Sequence, residues 1–185
     1  MVPRVARGPF KGQIRVRFPI ARPILGLVFL FAAHSALAQE SQTIPSPDDS
    51  LRAEIQTVHK SVGGAAESKI EILSREGKKV WAVKYTSRDG EHGFGVVKAA
   101  WTADSQYFVY SLSSSGAHPA GRSPTFFYDR KADRVRSFDA EVDNVTDADF
   151  TLSAPDIVEA LVSNNGKPKR VRVALSALRS QRSKS

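Results

Sequence analysis

The chain contains no cysteine. That absence excludes disulfide staples, zinc–thiolate centres, thiol nucleophiles and a lipid carried on an N-terminal cysteine. Long apolar runs are also missing: the longest, from Pro23 to Ala38, holds His34 and totals 16 residues, short of the roughly 20 that a spanning helix needs. No adjacent arginine pair occurs near the start, which speaks against twin-arginine export. Acids are absent from residues 1–38 and again after Glu159. Gly-x-Ser-x-Gly and His-Glu-x-x-His are absent as well, so neither a hydrolase nucleophile elbow nor a zincin helix is written in the sequence.

What is present begins with an export signal. Arg4, Arg7, Lys11, Arg15, Arg17 and Arg22 precede the apolar run Ile24 to Ala33, and Ala36-Leu37-Ala38 stands before Gln39. This order of basic, apolar and small residues reads as a secretory signal peptide over 1–38, cleaved after Ala38. It predicts a periplasmic or secreted protein with no stable membrane span after cleavage.

Removing the leader changes the charge. Of 27 Lys and Arg against 19 Asp and Glu, six bases and no acids belong to residues 1–38, which leaves a net +2. Seven more bases (Lys167, Lys169, Arg170, Arg172, Arg179, Arg182 and Lys184) follow the last acid, so residues 39–166 carry −5. A pI near 9.9 thus arises at the two ends, and nucleic acid loses its electrostatic case as a partner.

Polar, proline-bearing residues 39–47 read as a linker, residues 48–178 as a single β-rich domain, and 179–185 as a disordered basic tail. Leu51, Ala53 and Ile55 alternate with Arg52, Glu54 and Gln56, the period of a half-buried strand. Lys69 to Leu73 and Val80 to Tyr85 flank a Gly77 turn, and Thr125 to Tyr128 and Val135 to Phe138 flank a charged turn; both pairs read as hairpins. Gly93 to Trp101 and Gln106 to Leu112 are further strands. At 154–162 the repeat described next favours a strand, while Ser153 with Asp156 offers a helix-capping box.

The pieces recur in order. Ser46-Pro47-Asp48-Asp49-Ser50-Leu51 aligns with Thr102-Ala103-Asp104-Ser105-Gln106-Tyr107 at a spacing of 56, and Ser153-Ala154-Pro155-Asp156-Ile157 gives a weaker third start. Periods of this size belong to repeated β units. These stretches resemble the Ser-Pro-Asp-Gly turns that open the blades of TolB-type β-propellers, although Asp49 and Ser105 stand where the glycine is expected and Ala103 replaces the proline. The stretch Asp89 to Ser115, especially Gly90 to Trp101, also resembles a group of uncharacterised exported bacterial proteins; that likeness covers most of 46–178 and implies no activity. Propellers close with about four to eight blades, and two clear units and one weak one are too few. The expected fold is all-β: antiparallel blade-like meanders in an open or sandwich-like domain, with free edges through which copies can associate.

Candidate chemistry is sparse. Asp89, Glu91 and His92 share a glycine-flanked loop suited to metal or acid–base work. Ser113, His118 and Arg122 fall on or near a second long loop, without the base and oxyanion hole of a nucleophilic site. Both loops also read as ordinary solvated turns. The acidic stretch Asp139, Glu141, Asp143, Asp147 and Asp149 fails the calcium-loop pattern, with Asn144 at the glycine position and Phe150 at the glutamate position. Trp81, Phe94, Trp101, Phe108, Phe126, Phe127 and Phe138 read as core, and Tyr107, Tyr110 and Tyr128 as rim. No catalytic residue, metal ligand or cofactor site is assigned. The reading is of an exported, non-enzymatic β-repeat domain whose loops bind an envelope protein or polysaccharide. The alternative is a small metal-assisted or acid–base hydrolase using Glu91, His92 and His118.

Overall fold

A computed structural model of the protein describes residues 40–60, 66–116 and 123–181, all within one compact unit, Leu37–Ser185. The side chains of 59, 60 and 179–181 are not described, and the proposed leader, His118 and Arg122 lie outside the described residues. The strands run β1 (Ser41–Pro45), β2 (Leu51–Lys60), β3 (Ala66–Ser74), β4 (Lys79–Lys84), β5 (Phe94–Trp101), β6 (Tyr107–Ser114), β7 (Thr125–Asp129) and β8 (Arg134–Ser137). After a short helix α1 (Asp139–Val142) come β9 (Thr151–Ser153), β10 (Ile157–Asn164), β11 (Lys167–Ala174) and helix α2 (Leu175–Gln181).

Three antiparallel sheets result, ordered β1-β2-β3-β4, β5-β6-β7-β8 and β11-β10-β9, and none closes into a barrel or propeller. The chain is an open all-β domain, as expected. Its middle sheet is buried on both faces. Phe108, Tyr110, Leu112 and Tyr128 pack with Leu51, Ala53, Ile55, Ile70 and Ile72 of the first sheet. Tyr107, Val109 and Phe127 face the other way, onto Val158, Ala160 and Val162 of the third sheet. Successive strand side chains point to opposite faces, so β6 is apolar almost throughout, whereas β2 and β10, covered on one face, alternate.

The outer faces are polar. On the first sheet the pairs Glu54↔Glu71 and Gln56↔Lys69 alternate with the buried pairs Ala53↔Ile72 and Ile55↔Ile70. The facing glutamates would repel, but Arg52 pairs with Glu54 at 3.0 Å, and Lys69 and Lys79 reach Glu71 at 2.8 and 2.5 Å. On the third sheet Glu159 meets Arg170 at 2.9 Å. Such polar faces terminate a stack of sheets as capping repeats terminate a solenoid.

The two turns expected to repeat do so bond for bond. Ser46 Oγ donates to Asp48 Oδ1 (2.7 Å) and accepts from Leu51 N–H (3.0 Å). Thr102 Oγ1 donates to Asp104 Oδ1 (2.6 Å) and accepts from Tyr107 N–H (3.0 Å). Asp49 and Ser105, where glycine is expected, adopt positive φ of 54° and 59°. The third turn differs: Asp156 accepts Ser176 N–H at 2.7 Å and ties α2 to the sheet.

Three expectations change and a fourth, the strand at 154–162, holds. The segment 39–47 contains β1, bonded along its length to β2, because alternation was masked by its hydroxyl and amide side chains. Residues 154–162 hold a turn and then β10, the favoured strand. Helix α2 extends to Gln181, past the start of the supposed tail. Tyr107, Tyr110 and Tyr128 are core rather than rim, at 1%, 0% and 0% exposure; the hydroxyls of the latter two reach Tyr85 (2.7 Å) and Asp133 (2.9 Å), which makes burial of a phenol tolerable.

Candidate functional site

The segment between β4 and β5 is pinned from beneath by a carboxylate. Glu67, at the start of β3, is completely buried. Its Oε2 accepts Ser87 N–H at 2.8 Å, and its Oε1 accepts the Ser87 hydroxyl (2.5 Å), Gly93 N–H (2.7 Å) and the Ser115 hydroxyl (3.0 Å). Burial alone would raise the Glu67 pKa, but these bonds from Ser87, Gly93 and Ser115 outweigh it and hold the carboxyl below its ordinary value. One carboxylate thus joins β3, both ends of the 87–93 loop and the end of β6.

Glycine makes this approach sterically feasible. A Cβ on Gly93 would strike the Glu67 carboxylate and the Tyr85 carbonyl, and one on Gly95 would overlap the Ala66 carbonyl. At Gly116 a Cβ would stand 2.6 Å from the Glu91 carbonyl oxygen. The 89–93 loop and the end of β6 are therefore in backbone contact.

At the tip of the loop, Asp89 Oδ1 accepts Glu91 N–H (3.1 Å), and its Oδ2 lies 2.6 Å from His92 Nδ1. The Glu91 N–H, the Ser87 hydroxyl and His92 hold the Asp89 carboxyl well below the usual carboxylate range. Both side chains of the pair are more than half exposed. The carboxylate holds the ring by Nδ1. Such a pair can exchange a proton with a bound solute.

Of the sequence candidates, Asp89, Glu91 and His92 share this loop, and Ser113 faces Gly95 across the β5–β6 ladder. Among the described residues no group of three or more His, Cys, Asp or Glu is arranged to hold a metal ion. The acidic stretch is dispersed into structural tasks. Asp139 Oδ1 accepts Val145 N–H (3.1 Å), Glu141 pairs with Arg136 (2.6 Å), and Asp149 pairs with Lys98.

No protein-family model matches the chain, and no curated protein does.

Sequence reasoning missed Glu67, Ser87 and Ser115. The sole signal was an acid opening the otherwise apolar-rich β3, and acids at strand ends are usually solvated. It also missed a pocket of about 380 Å³ beside β1, lined by Ser41, Gln42, Ile55, Thr57, Ser68 and Val96 among others. Its size is that of a small-molecule site.

Proposed function

We propose that the protein is an exported, non-enzymatic binding domain, built from TolB-type blade-like units, that engages a protein or polymer of the cell envelope. The observation that carries this reading is the pair of turns at Ser46 and Thr102. They repeat the same bonds and the same positive φ 56 residues apart, and each joins the first two strands of a four-stranded meander. A rigid stack of repeated sheets presents loops and edges as contact surfaces. The employment of Glu67, Ser87 and Ser115 in holding the 87–93 loop also favours scaffold over catalyst.

Two measurements test it. Mass spectrometry of the protein from the producing cell should find Gln39 as the first residue; intact residues 1–38 would defeat the export claim. Immobilised protein should retain a saturable component from envelope fractions at low and moderate salt, and recovery of nothing would defeat the binding claim.

A second reading, an acid–base or metal-assisted hydrolase using Glu91, His92 and His118, draws on the oriented Asp89–His92 pair. Its metal-assisted form requires that the protein take up zinc and that His92→Ala abolish uptake, and its acid–base form requires a hydrolytic activity that His92→Ala abolishes.

A further inference from the structure

The binding reading leaves open which surface binds and what chemistry it recognises. We infer that the free edge of β11 is a docking rail for a linear, carboxylate-bearing polysaccharide; this rests on the proposal that the domain binds an envelope component.

Strand β11 is an edge strand of its sheet. Lys167, Lys169, Arg170 and Arg172 on it are all exposed. Its alternation divides them. Val171 and Val173 pack toward the core, so Lys167 and Lys169 share their face, and Arg170 and Arg172 lie on the opposite one. The edge therefore carries two cations on each side over about 17 Å, at about 3.3 Å per residue.

Counter-charge is scarce. Glu159 pairs with Arg170 at 2.9 Å and faces Arg172 across the ladder; among the described residues no ion pair involves Lys167, Lys169 or Arg172. The stretch that precedes β11, 39–166, carries −5, and Arg179, Arg182 and Lys184 follow the strand. A row of cations on a body of net negative charge favours a polyanion that lies along the row.

The four cations follow one line along the edge, which suits a linear chain. A flat anionic surface laid against one face of β11 meets one pair of cations and leaves the other turned away. A linear polymer running along the edge meets both pairs. Four cations over these six residues stand on average about 5.5 Å apart along the strand, which suits one carboxylate per sugar unit. The arginine forks add two-point hydrogen bonding to carboxylate.

The test uses the whole exported protein and polygalacturonate as the probe, with vesicles containing phosphatidylglycerol as the competing surface. One variant carries K167Q, K169Q, R170Q and R172Q. A control carries R75Q, K78Q and K84Q, exposed cations of the first sheet. Unchanged Tm in both variants establishes that each remains folded. The expected result is salt-sensitive binding of polygalacturonate that weakens roughly tenfold or more in the β11 variant and less than about twofold in the control. Equal losses in both variants, no loss in the β11 variant, or tighter binding to vesicles than to polygalacturonate would each overturn the inference. If the β11 variant still retains the component captured from envelope fractions, the rail is wrong and the binding reading survives; if the unmodified protein captures nothing, the binding reading itself fails.

Discussion

Ser105 Oγ accepts the backbone N–H of Asp48 at 3.0 Å, so the β5–β6 turn of the second sheet is bonded to the β1–β2 turn of the first. The next step is analogous: Asp104, aligned with Asp48, gives its N–H to the Pro155 carbonyl in the third turn at 3.3 Å. Arg130 adds an ion pair to Asp48 at 2.8 Å. The repeat at a spacing of 56 is thus both a recurrence of local geometry and a chain of contacts between successive sheets.

That relationship separates two otherwise similar positions. Asp49 and Ser105 both hold positive φ, where glycine is relieved of a Cβ penalty of about 1 kcal/mol. Asp49 is exposed, so Asp49→Gly is expected to raise stability by about 0.5 kcal/mol. Ser105→Gly gains the same relief but loses the bond to Asp48, leaving a buried site with one donor unpaired, at a cost of about 1–2 kcal/mol. Urea unfolding of the two variants should therefore shift the midpoint in opposite directions.

Glu67→Gln tests the staple beneath the loop. Four donors converge on the carboxylate, and an amide offers two donors in place of acceptors, so at least one buried pair becomes donor against donor. A loss of about 2 kcal/mol is expected. The sign with pH follows from the lowered pKa: the Glu67 contribution is fully present above the ordinary glutamate value of 4.5 and disappears as pH falls through the lower folded value. Glu71 and Asp48 are depressed too, so the acid limb is shared. Subtracting the variant's stability curve from that of the unmodified protein should leave a difference that is flat above 4.5 and shrinks below it.

Much of this architecture was legible because burial writes itself into alternation. Leu51, Ala53 and Ile55 revealed β2, and the apolar pairs around Gly77 revealed the first hairpin. The middle sheet was harder: with both faces covered, Tyr107 and Tyr110 could not be told from rim residues. β1 stayed hidden because Ser41, Gln42 and Thr43 show no apolar face, its pairing with β2 being supplied by backbone bonds. In the site, Asp89 and His92 were visible as a polar cluster between glycines. Glu67 was not, since its partners Ser87, Gly93 and Ser115 come from 20, 26 and 48 residues away, and only the fold assembles them.

Gly95 sits where β5 lies against the Ala66 end of β3. Gly95→Ala forces a methyl group into the Ala66 carbonyl, and because both are strand backbone neither yields cheaply. A destabilisation of about 3 kcal/mol is expected. Gly166→Ala is the counterpart: φ is +77° but the space is open, so the cost is limited to the left-handed backbone, about 1 kcal/mol. Equal losses on thermal unfolding would show that the close approach of β3 and β5 does not govern stability.

Arg136 decides whether α2 stays docked. Its Nη2 donates to Glu141 Oε1 at 2.6 Å and to the Leu178 carbonyl at 3.0 Å, and its guanidinium lies 5.4 Å from the centre of the Phe127 ring. One buried fork thus joins the middle sheet, α1 and α2 beside the core residues Leu175 and Leu178. Arg136→Lys retains the charge but its ammonium does not stand where Nη2 donates to both acceptors; Arg136→Ala leaves Glu141 without its partner and the Leu178 carbonyl without its donor. Losses of about 1–2 and about 3 kcal/mol are expected in that order. Amide hydrogen exchange discriminates local from global damage: protection should fall first across 175–181 while the β2–β3 ladder keeps its slow exchange. Uniform acceleration through all three sheets would instead make Arg136 a general core residue.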